Sequence, residues 1–305
     1  MKVGAHLPLA DFGDGTPTAT DLVHYARVAV GCGMTTLSAN DHLVWGRPWL
    51  DGPTALASVA AESDRLTLAT SIALPVARHP VVVAKSLTSL AAMARGPVVG
   101  GLGPGSSRAD LAAVGLAFEE RWARFDEAFT VVRALVRGEP APAGTYYTSD
   151  HVRLAPLPEH PPQVWFGSWG SEHRLAAMAA VADGWFASAY NATPEHYRTT
   201  RARLDEHLQA AGRDPASLPD AVATTWLYVT ERRREAEHVL VEVLGPVLGR
   251  DPATLGHLPI GGAEHCAQAL DAYAQAGARE VLVWPVRDPV RQLEKITGAL
   301  EGFPW

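Results

Sequence analysis

The sequence predicts an α/β fold in which eight strand–helix units close into one TIM-type (β/α)8 barrel. Three observations lead there. Short β-rich runs alternate with longer amphipathic runs from end to end. Eight such strands can be read off, each separated from the next by a helical stretch. The length of 305 residues also suits an α/β barrel, which folds as one domain at about 250 residues or more. Strands joined through helices run parallel with right-handed crossovers and are buried on both faces. An open doubly wound sheet is the competing arrangement, and eight units favour closure.

The elements follow in order. Residues 3–7 read as a short apolar first strand. Residues 21–30 read as a helix with Thr18 or Thr20 as N-cap and Gly31 and Gly33 as its stop. Strand two is 35–39, followed by a helix over 54–62, and strand three is 66–73. The helix over 80–94 has Pro80 at an N1-like position. Residues 97–102 form a near-continuous apolar fourth strand. In the long helix 119–136, Phe125, Phe129, Val132 and Leu135 recur at i, i+4, i+7 and i+10. The Pro-rich stretch 139–162 breaks the rhythm and reads as an excursion between strands four and five, with 145–148 and 152–154 pairing as a small hairpin. Runs at 164–166, 185–187, 221–229 and 281–284 complete the set. No linker composition divides the chain, so residues 1–305 read as a single domain.

Composition narrows the function classes. Lys and Arg number 26 against 33 Asp and Glu, for a net charge of −7, and the basic residues are dispersed. That argues against nucleic acid and anionic membrane surfaces as partners. No apolar run has membrane-spanning length, and the first residues lack a signal-peptide core, so a cytoplasmic protein is expected. Cys32 and Cys266 are far apart, which leaves neither a disulfide framework nor zinc-ligand spacing. The twelve His are scattered, and no metal site is expected. The run Arg232-Arg233-Arg234 reads as a solvated charge run.

A barrel of this kind carries its site at the C-terminal strand ends. Those ends offer His6, Asn40-Asp41-His42 with Trp45, Ser71-Ile72, the Gly/Ser run 100–107, the run 167–171, Tyr190, and Trp284 with Arg287. His42 is a candidate for proton transfer, with Asp41 orienting it, although Asp41 would equally serve a turn and His42 the rim. The stretch from Gly100 to Ser107, with Gly103 and Ser106, joins a strand to a helix without the P-loop or dinucleotide pattern. Gly167-Ser168-Trp169-Gly170-Ser171 repeats the design one strand later. Together the two turns make a cradle for a phosphorylated ligand, backbone N–H groups supplying much of the binding. Each turn alone would be an ordinary helix start.

Taken together these segments resemble the luciferase-like monooxygenase family, which includes FMN-dependent oxygenases and enzymes using the deazaflavin coenzyme F420. The resemblance covers nearly the whole chain. It rests on Asp41-His42, on Leu68-Ala69-Thr70-Ser71-Ile72 leading to Arg78-His79-Pro80, on Gly101 to Ser107, on Phe118-Glu119-Glu120-Arg121 with Phe125-Asp126-Glu127-Ala128, on Val164-Trp165-Phe166-Gly167-Ser168, and on Ala182-Asp183-Gly184-Trp185-Phe186. It implies a barrel that binds reduced FMN or F420 at the strand ends, commonly as a homodimer. It implies a cis peptide between Ser71 and Ile72 packed on the cofactor ring, Asp41 and His42 near that ring, and Trp45 near substrate. Gly103, Ser106 and residues 167–171 would serve the cofactor, and His6, Trp45, Tyr190 and Trp284 the substrate pocket. The stretch after the fourth-strand glycine, where many deazaflavin members carry an acid or Asn, reads Pro104-Gly105-Ser106-Ser107, with Asp110 the nearest acid.

The leading functional expectation is therefore a flavin-dependent oxidoreductase, a monooxygenase, acting on a small organic substrate with reduced FMN from a separate flavin reductase. An F420-dependent hydride-transfer enzyme is the alternative. Two readings from other classes stand beside it: a lyase or isomerase for a phosphorylated substrate, and a non-catalytic flavin-binding barrel.

Overall fold

The computed structural model describes residues 1–301, so four residues of the expected 1–305 domain, 302–305, lie outside the described residues. The strands are β1 (Lys2–His6), β2 (Thr36–Ala39), β3 (Thr67–Ala73), β4 (Val98–Leu102), β5 (Gln163–Gly167), β6 (Gly184–Ser188), β7 (Asp220–Val229), β8 (Ile260–Gly261) and β9 (Glu280–Pro285). From β1 to β7 each strand pairs in parallel with the next; β7 then pairs with β9, and β9 with β1. This closes a ring of eight, with β8 added on β7 outside it. The eight strands expected from sequence are β1–β7 and β9. The two residues of β8 are too few for any periodicity to show.

Helix starts follow local chemistry. Thr18 caps the helix Ala19–Gly31 through a reciprocal box in which Asp21 N–H bonds the Thr18 hydroxyl and the Asp21 carboxylate accepts from Thr18 N–H at 2.8 Å. Asp51 caps Gly52–Val59, accepting from Thr54 N–H at 2.9 Å. The helix Arg121–Val136 buries Phe125, Phe129, Val132 and Leu135, and both Phe rings pack on Phe166 of β5. Arg232, Arg233 and Arg234 are exposed. No helix among the described residues is long and apolar enough to cross a membrane.

The Pro-rich excursion departs from expectation. Segments 145–148 and 152–154 form no strand pair. The N–H groups of Thr145, Tyr146 and Tyr147, which a hairpin ladder would need, donate instead to the Glu127 carboxylate. Six prolines within 139–162 remove further donors.

The barrel interior is plugged by Trp165 of β5, Phe186 of β6 and Leu282 of β9, packed with Ala69, Val99, Ala221 and Ala223. Each large side chain occupies the space left by a glycine on another strand. A Cβ on Gly184 would lie 2.4 Å from the Trp165 ring, one on Gly101 2.5 Å from Phe186, and one on Gly4 2.6 Å from Leu282. Glycine is needed here for packing between strands.

This packing predicts opposite signs for two Gly-to-Ala changes. Gly101→Ala also drives a Cβ to 2.3 Å from the Thr70 carbonyl, and should destabilise by about 3 kcal/mol, at the upper end for overpacking. Gly298→Ala lies on the exposed side of the helix Pro289–Leu300 with open space around it. It should stabilise by about 0.5 kcal/mol. Urea unfolding of the two variants measures both.

Candidate active site

The C-terminal strand ends surround a cavity of about 370 Å³, within the size range of cofactor and small-molecule sites. Asn40, Asp41 and His42 reach it from β2, Ser71 and Ile72 from β3, Pro104 to Ser106 from β4, and Gly167, Ser168, Trp169 and Ser171 from β5. Ser188 and Tyr190 enter from β6, Thr224 and Trp226 from β7, and Trp284 from β9.

The two residues expected to act together at 41 and 42 have separate partners. Asp41 is buried and paired with Arg78, whose Nε and Nη2 donate to its two carboxylate oxygens at 2.7 and 2.6 Å; Leu74 N–H adds a third bond at 3.2 Å. Arg78 also bonds Asp51. Asp41 therefore fastens the β2 loop to the β3 loop and does not orient His42. That task falls to Asp110, which accepts from His42 Nδ1 at 2.8 Å and from the N–H groups of Leu43 and Val44 at 2.8 and 2.9 Å. Burial would push the Asp110 carboxyl up, but the bonds from His42 and from the Val44 and Leu43 amides outweigh it and hold the carboxyl below its ordinary range. An acceptor at Nδ1 fixes the His42 proton there and leaves Nε2 as the acceptor nitrogen. Nε2 carries no hydrogen bond among the described residues. Asp110 was visible in the sequence as the nearest acid after the fourth-strand glycine, but 68 residues separate it from His42.

Trp45 stacks at a tilt on the His42 ring, with centroids 4.0 Å apart, and Trp49 meets it edge-on at 4.9 Å. Trp49 also meets Trp284 edge-on, and Trp226 stacks on Trp284 at 4.0 Å. Trp49 and Trp226 were missed because lone aromatics in sequence carry no positional signal. His6 lies behind this wall and does not line the cavity. It is fully buried, stacked on Trp284 at 3.4 Å, and its Nδ1 donates to the Leu7 carbonyl. Burial lowers its pKa to about 3 against the smaller upward pull of the Leu7 bond, so the ring is neutral.

The Ser71–Ile72 peptide bond is cis, as the resemblance implied. Ile72 explains two glycines that had been given to the cofactor. A Cβ on Gly103 would stand 1.9 Å from Ile72 Cδ1, and one on Gly167 2.7 Å from Ile72 Cγ2. Gly103 does not line the cavity, and Gly170, at φ 88°, packs on Thr200. Ser168 accepts from Gly170 N–H at 3.1 Å, which shapes the turn. Ser171 precedes the helix Glu172–Val181 without capping it through its side chain; its carbonyl accepts from Arg174 N–H at 2.8 Å and from Leu175 N–H at 3.0 Å, and the amides of Glu172 and His173 are left for another acceptor. Arg174 and Arg121 stand beside them: Arg174 lies over Trp122 at 4.1 Å and bonds Asp126, and Arg121 lies over Phe118 at 3.7 Å. Ser106 and Trp169 complete this side, Trp169 being exposed at the mouth.

On β7 the chain bulges between Val222 and Thr225. Thr224 there has φ 54°, a conformation that β-branched residues rarely adopt and that is stored mostly at functional sites. Its hydroxyl is 2.6 Å from that of Ser188. Neither residue was singled out from the sequence.

A cofactor with a planar ring and a phosphorylated tail fits these residues. Among the described residues Ser71 Oγ and Asn40 Oδ1 are buried beside the cavity without a protein partner, and the uncapped amides with two arginines supply anion donors at one end.

The family model described as luciferase-like monooxygenase matches residues 1–280. Over 208 residues the chain is 31% identical to an F420-dependent hydroxymycolic acid dehydrogenase of Mycobacterium tuberculosis, covering 65% of this chain and 56% of that protein. Over 230 residues it is 31% identical to an F420-dependent glucose-6-phosphate dehydrogenase of Beutenbergia cavernae, covering 71% and 67%. The matches thus span between about half and two thirds of these curated relatives. Among solved structures, a monooxygenase from Streptomyces bottropensis superposes with TM-score 0.83 at 20% identity, over 98% of both chains. An F420-dependent secondary alcohol dehydrogenase bound to an F420–acetone adduct gives 0.82 at 18%, over 98% and 99%. At those identities the structural likeness shows the shared barrel.

The His6 site predicts a pH dependence of stability. The unfolded imidazole titrates near 6.5 and the folded one near 3, so the stability present above pH 6.5 is lost as the pH falls toward 3. Between pH 6.5 and 5.5 the wild type should lose about 1 kcal/mol more than His6→Phe, which has no such proton to bind. Urea unfolding of both proteins at the two pH values measures the difference.

Proposed function

Because the chain belongs to the luciferase-like monooxygenase family, we propose that it is an oxidoreductase using the deazaflavin F420 on a small organic substrate that bears a hydroxyl or carbonyl group. The observation that carries this reading is the His42–Asp110 pair. Oxidation of a hydroxyl to a carbonyl requires a base for the O–H proton, and the reverse requires an acid. Asp110 holds the imidazole in the tautomer whose Nε2 takes that proton and later returns it. The choice of F420 over FMN is supported by the names of the relatives at 31% identity.

When bound, the cofactor supplies the two-electron chemistry. The protein's own residues do the rest. The amides at the start of Glu172–Val181, with Arg174 and Arg121, would hold the phosphorylated tail, and Ser168 and Gly170 set the turn that presents them. Ser71 and Ile72 would form the ledge for the ring. Trp45, Trp49, Trp226 and Trp284 exclude water from the substrate side, which strengthens every polar contact made there. We further read the protein as cytoplasmic and, following the family resemblance, as a homodimer. A separate flavin reductase enters the scheme only with FMN.

Titration with F420 and with FMN, followed by ligand fluorescence, tests the cofactor. F420 should bind in preference; FMN preference with oxygen consumption would turn the reading to a monooxygenase, and binding of neither would overturn both. His42→Ala should lower kcat by about 100-fold or more, as loss of an acid/base group does, with F420 affinity unchanged. Asp110→Asn should also lower kcat, by about tenfold or more, since a wrong tautomer costs proton transfer more than binding. Unchanged turnover in His42→Ala would remove that residue from the chemistry.

A further inference from the structure

Four tryptophans touch one another in series along one side of the cavity. Trp226 and Trp284 stack with centroids 4.0 Å apart and planes 19° from parallel. Trp49 meets Trp284 at 5.6 Å, and Trp45 meets Trp49 at 5.6 Å. All four line the cavity. Indole is among the side-chain groups most easily oxidised by one electron, and electron transfer between rings falls off steeply with their separation. Rings in contact make each transfer short, so a hole placed on one of the four can reach the others.

The four differ in what becomes of a proton. Loss of an electron makes the indole N–H strongly acidic, so the radical cation stays mobile only where nothing takes that proton. Nε1 of Trp49, Trp226 and Trp284 is enclosed and has no acceptor among the described residues. His6 carries a bare nitrogen nearby, but its ring lies parallel to Trp284 at 3.4 Å, and its lone pair lies in its own plane instead of facing the indole. Trp45 is different. It is half-buried between exposed Val44 and Gly46, and its Nε1 is not enclosed, so water can take its proton. Charge favours the same end point. Arg47 and Arg287 bond the Asp11 and Phe12 carbonyls and Arg250 bonds the Asn191 side chain, none of them paired with a carboxylate among the described residues. Positive charge left on an inner indole is opposed by these cations, whereas a neutral radical at Trp45 is not.

We propose that Trp226, Trp284, Trp49 and Trp45 form a relay that carries a one-electron oxidising equivalent from the cavity to its mouth. The oxidant is a planar ring or an oxygen-derived radical held in the cavity. It takes one electron from Trp284 or Trp226, Trp49 refills that indole, and Trp45 refills Trp49. Trp45 then gives its Nε1 proton to water, and a thiol in solution restores it with one hydrogen atom. In sum the thiol loses one electron to the oxidant and one proton to water, and all four indoles are regenerated. The relay stands apart from the two-electron reaction and uses none of its acid–base groups.

The test is light-driven oxidation of the full chain with FMN, and in parallel with F420, the photoexcited ring being the oxidant. Without oxygen, freeze-trapped samples should show the electron paramagnetic resonance signal of a neutral tryptophan radical, lost in Trp45→Phe. With oxygen, peptide mass spectrometry should find the oxidised indole at Trp45 and leave Trp226 and Trp284 intact, and added dithiothreitol should suppress that product. Trp49→Phe should abolish the product at Trp45, whereas Trp226→Phe should keep it, because Trp284 still feeds Trp49. Urea unfolding shows whether each variant is folded, and Trp45→Phe, at the mouth, keeps the test open where Trp49→Phe fails to fold. Oxidation product at Trp226 or Trp284 in the wild type overturns the proposal. So does a Trp45 product that survives Trp49→Phe or dithiothreitol, a neutral radical that persists in Trp45→Phe, or failure of both rings to bind.

Discussion

The site depends on how the barrel interior is filled. Trp165, Phe186 and Leu282 occupy the space that Gly184, Gly101 and Gly4 leave empty. Interiors are packed at crystal-like density, so three large groups on a closed ring require three positions without a Cβ. Phe186 is part of this plug and part of the cavity lining. The plug therefore sets the floor, and whatever binds stays above it at the C-terminal rim. Ile72 repeats the device one layer higher, over Gly103 and Gly167. The ledge at Ser71–Ile72 is held by backbone on two neighbouring strands, which gives it a position no loop would supply.

Above that floor the mouth is tied together by buried carboxylates. Asp41 joins the β2 loop to Arg78 beyond β3, and Asp110 beyond β4 joins back to His42, Leu43 and Val44 beyond β2. Removing one partner of such a pair leaves a buried charge uncompensated, at about 3–5 kcal/mol. Both acids are side chains of the cavity region, yet neither offers it a free negative charge. In a chain with net charge −7, that neutralisation keeps the mouth open to an anionic cofactor tail, with Arg121 adding positive charge there and Arg174 held in an ion pair with Asp126.

Much of this was legible in the sequence. The strand–helix alternation gave all eight barrel strands, because long runs carry periodicity, and it placed His42, Ser71 and residues 167–171 at one rim. The partners at that rim were not legible. Asp41 sits next to His42 in the chain, and adjacency suggested that they act together. Yet successive side chains point in different directions, and the acid that reaches His42 comes from two strands away. The glycines at 103 and 167 suggested close approach of a ligand; a neighbouring isoleucine also needs the room at both, and only Gly167 lines the cavity. His6 falls at a strand end as the rule requires, but one layer too deep. In each case the sequence marks the level in the barrel, and the packing of neighbours decides the contact.

The hardest feature to read was the wall on β7, and its cause is one residue of register. Up to the bulge, Ala221 and Ala223 face the interior while Val222 faces the helices. Between Val222 and Thr225 the strand spends three steps against two on β9. Side chains alternate with period two, so a one-residue insertion inverts every position after it. Leu227 and Val229 now pack in the helix-side core, and Trp226 faces the cavity, directly paired with Trp284. A regular strand would have turned Trp226 outward and put Thr225 in its place. Thr224 is the residue at which the inversion occurs, and its hydroxyl bonds to Ser188 and Ala223 hold the backbone in the conformation that makes it. The same two hydroxyls that pin the bulge lie at the cavity edge. On this strand backbone geometry and cavity lining are one constraint, and a change that relaxed the bulge would turn Trp226 out of the indole wall and undo the Ser188–Thr224 contact beside it.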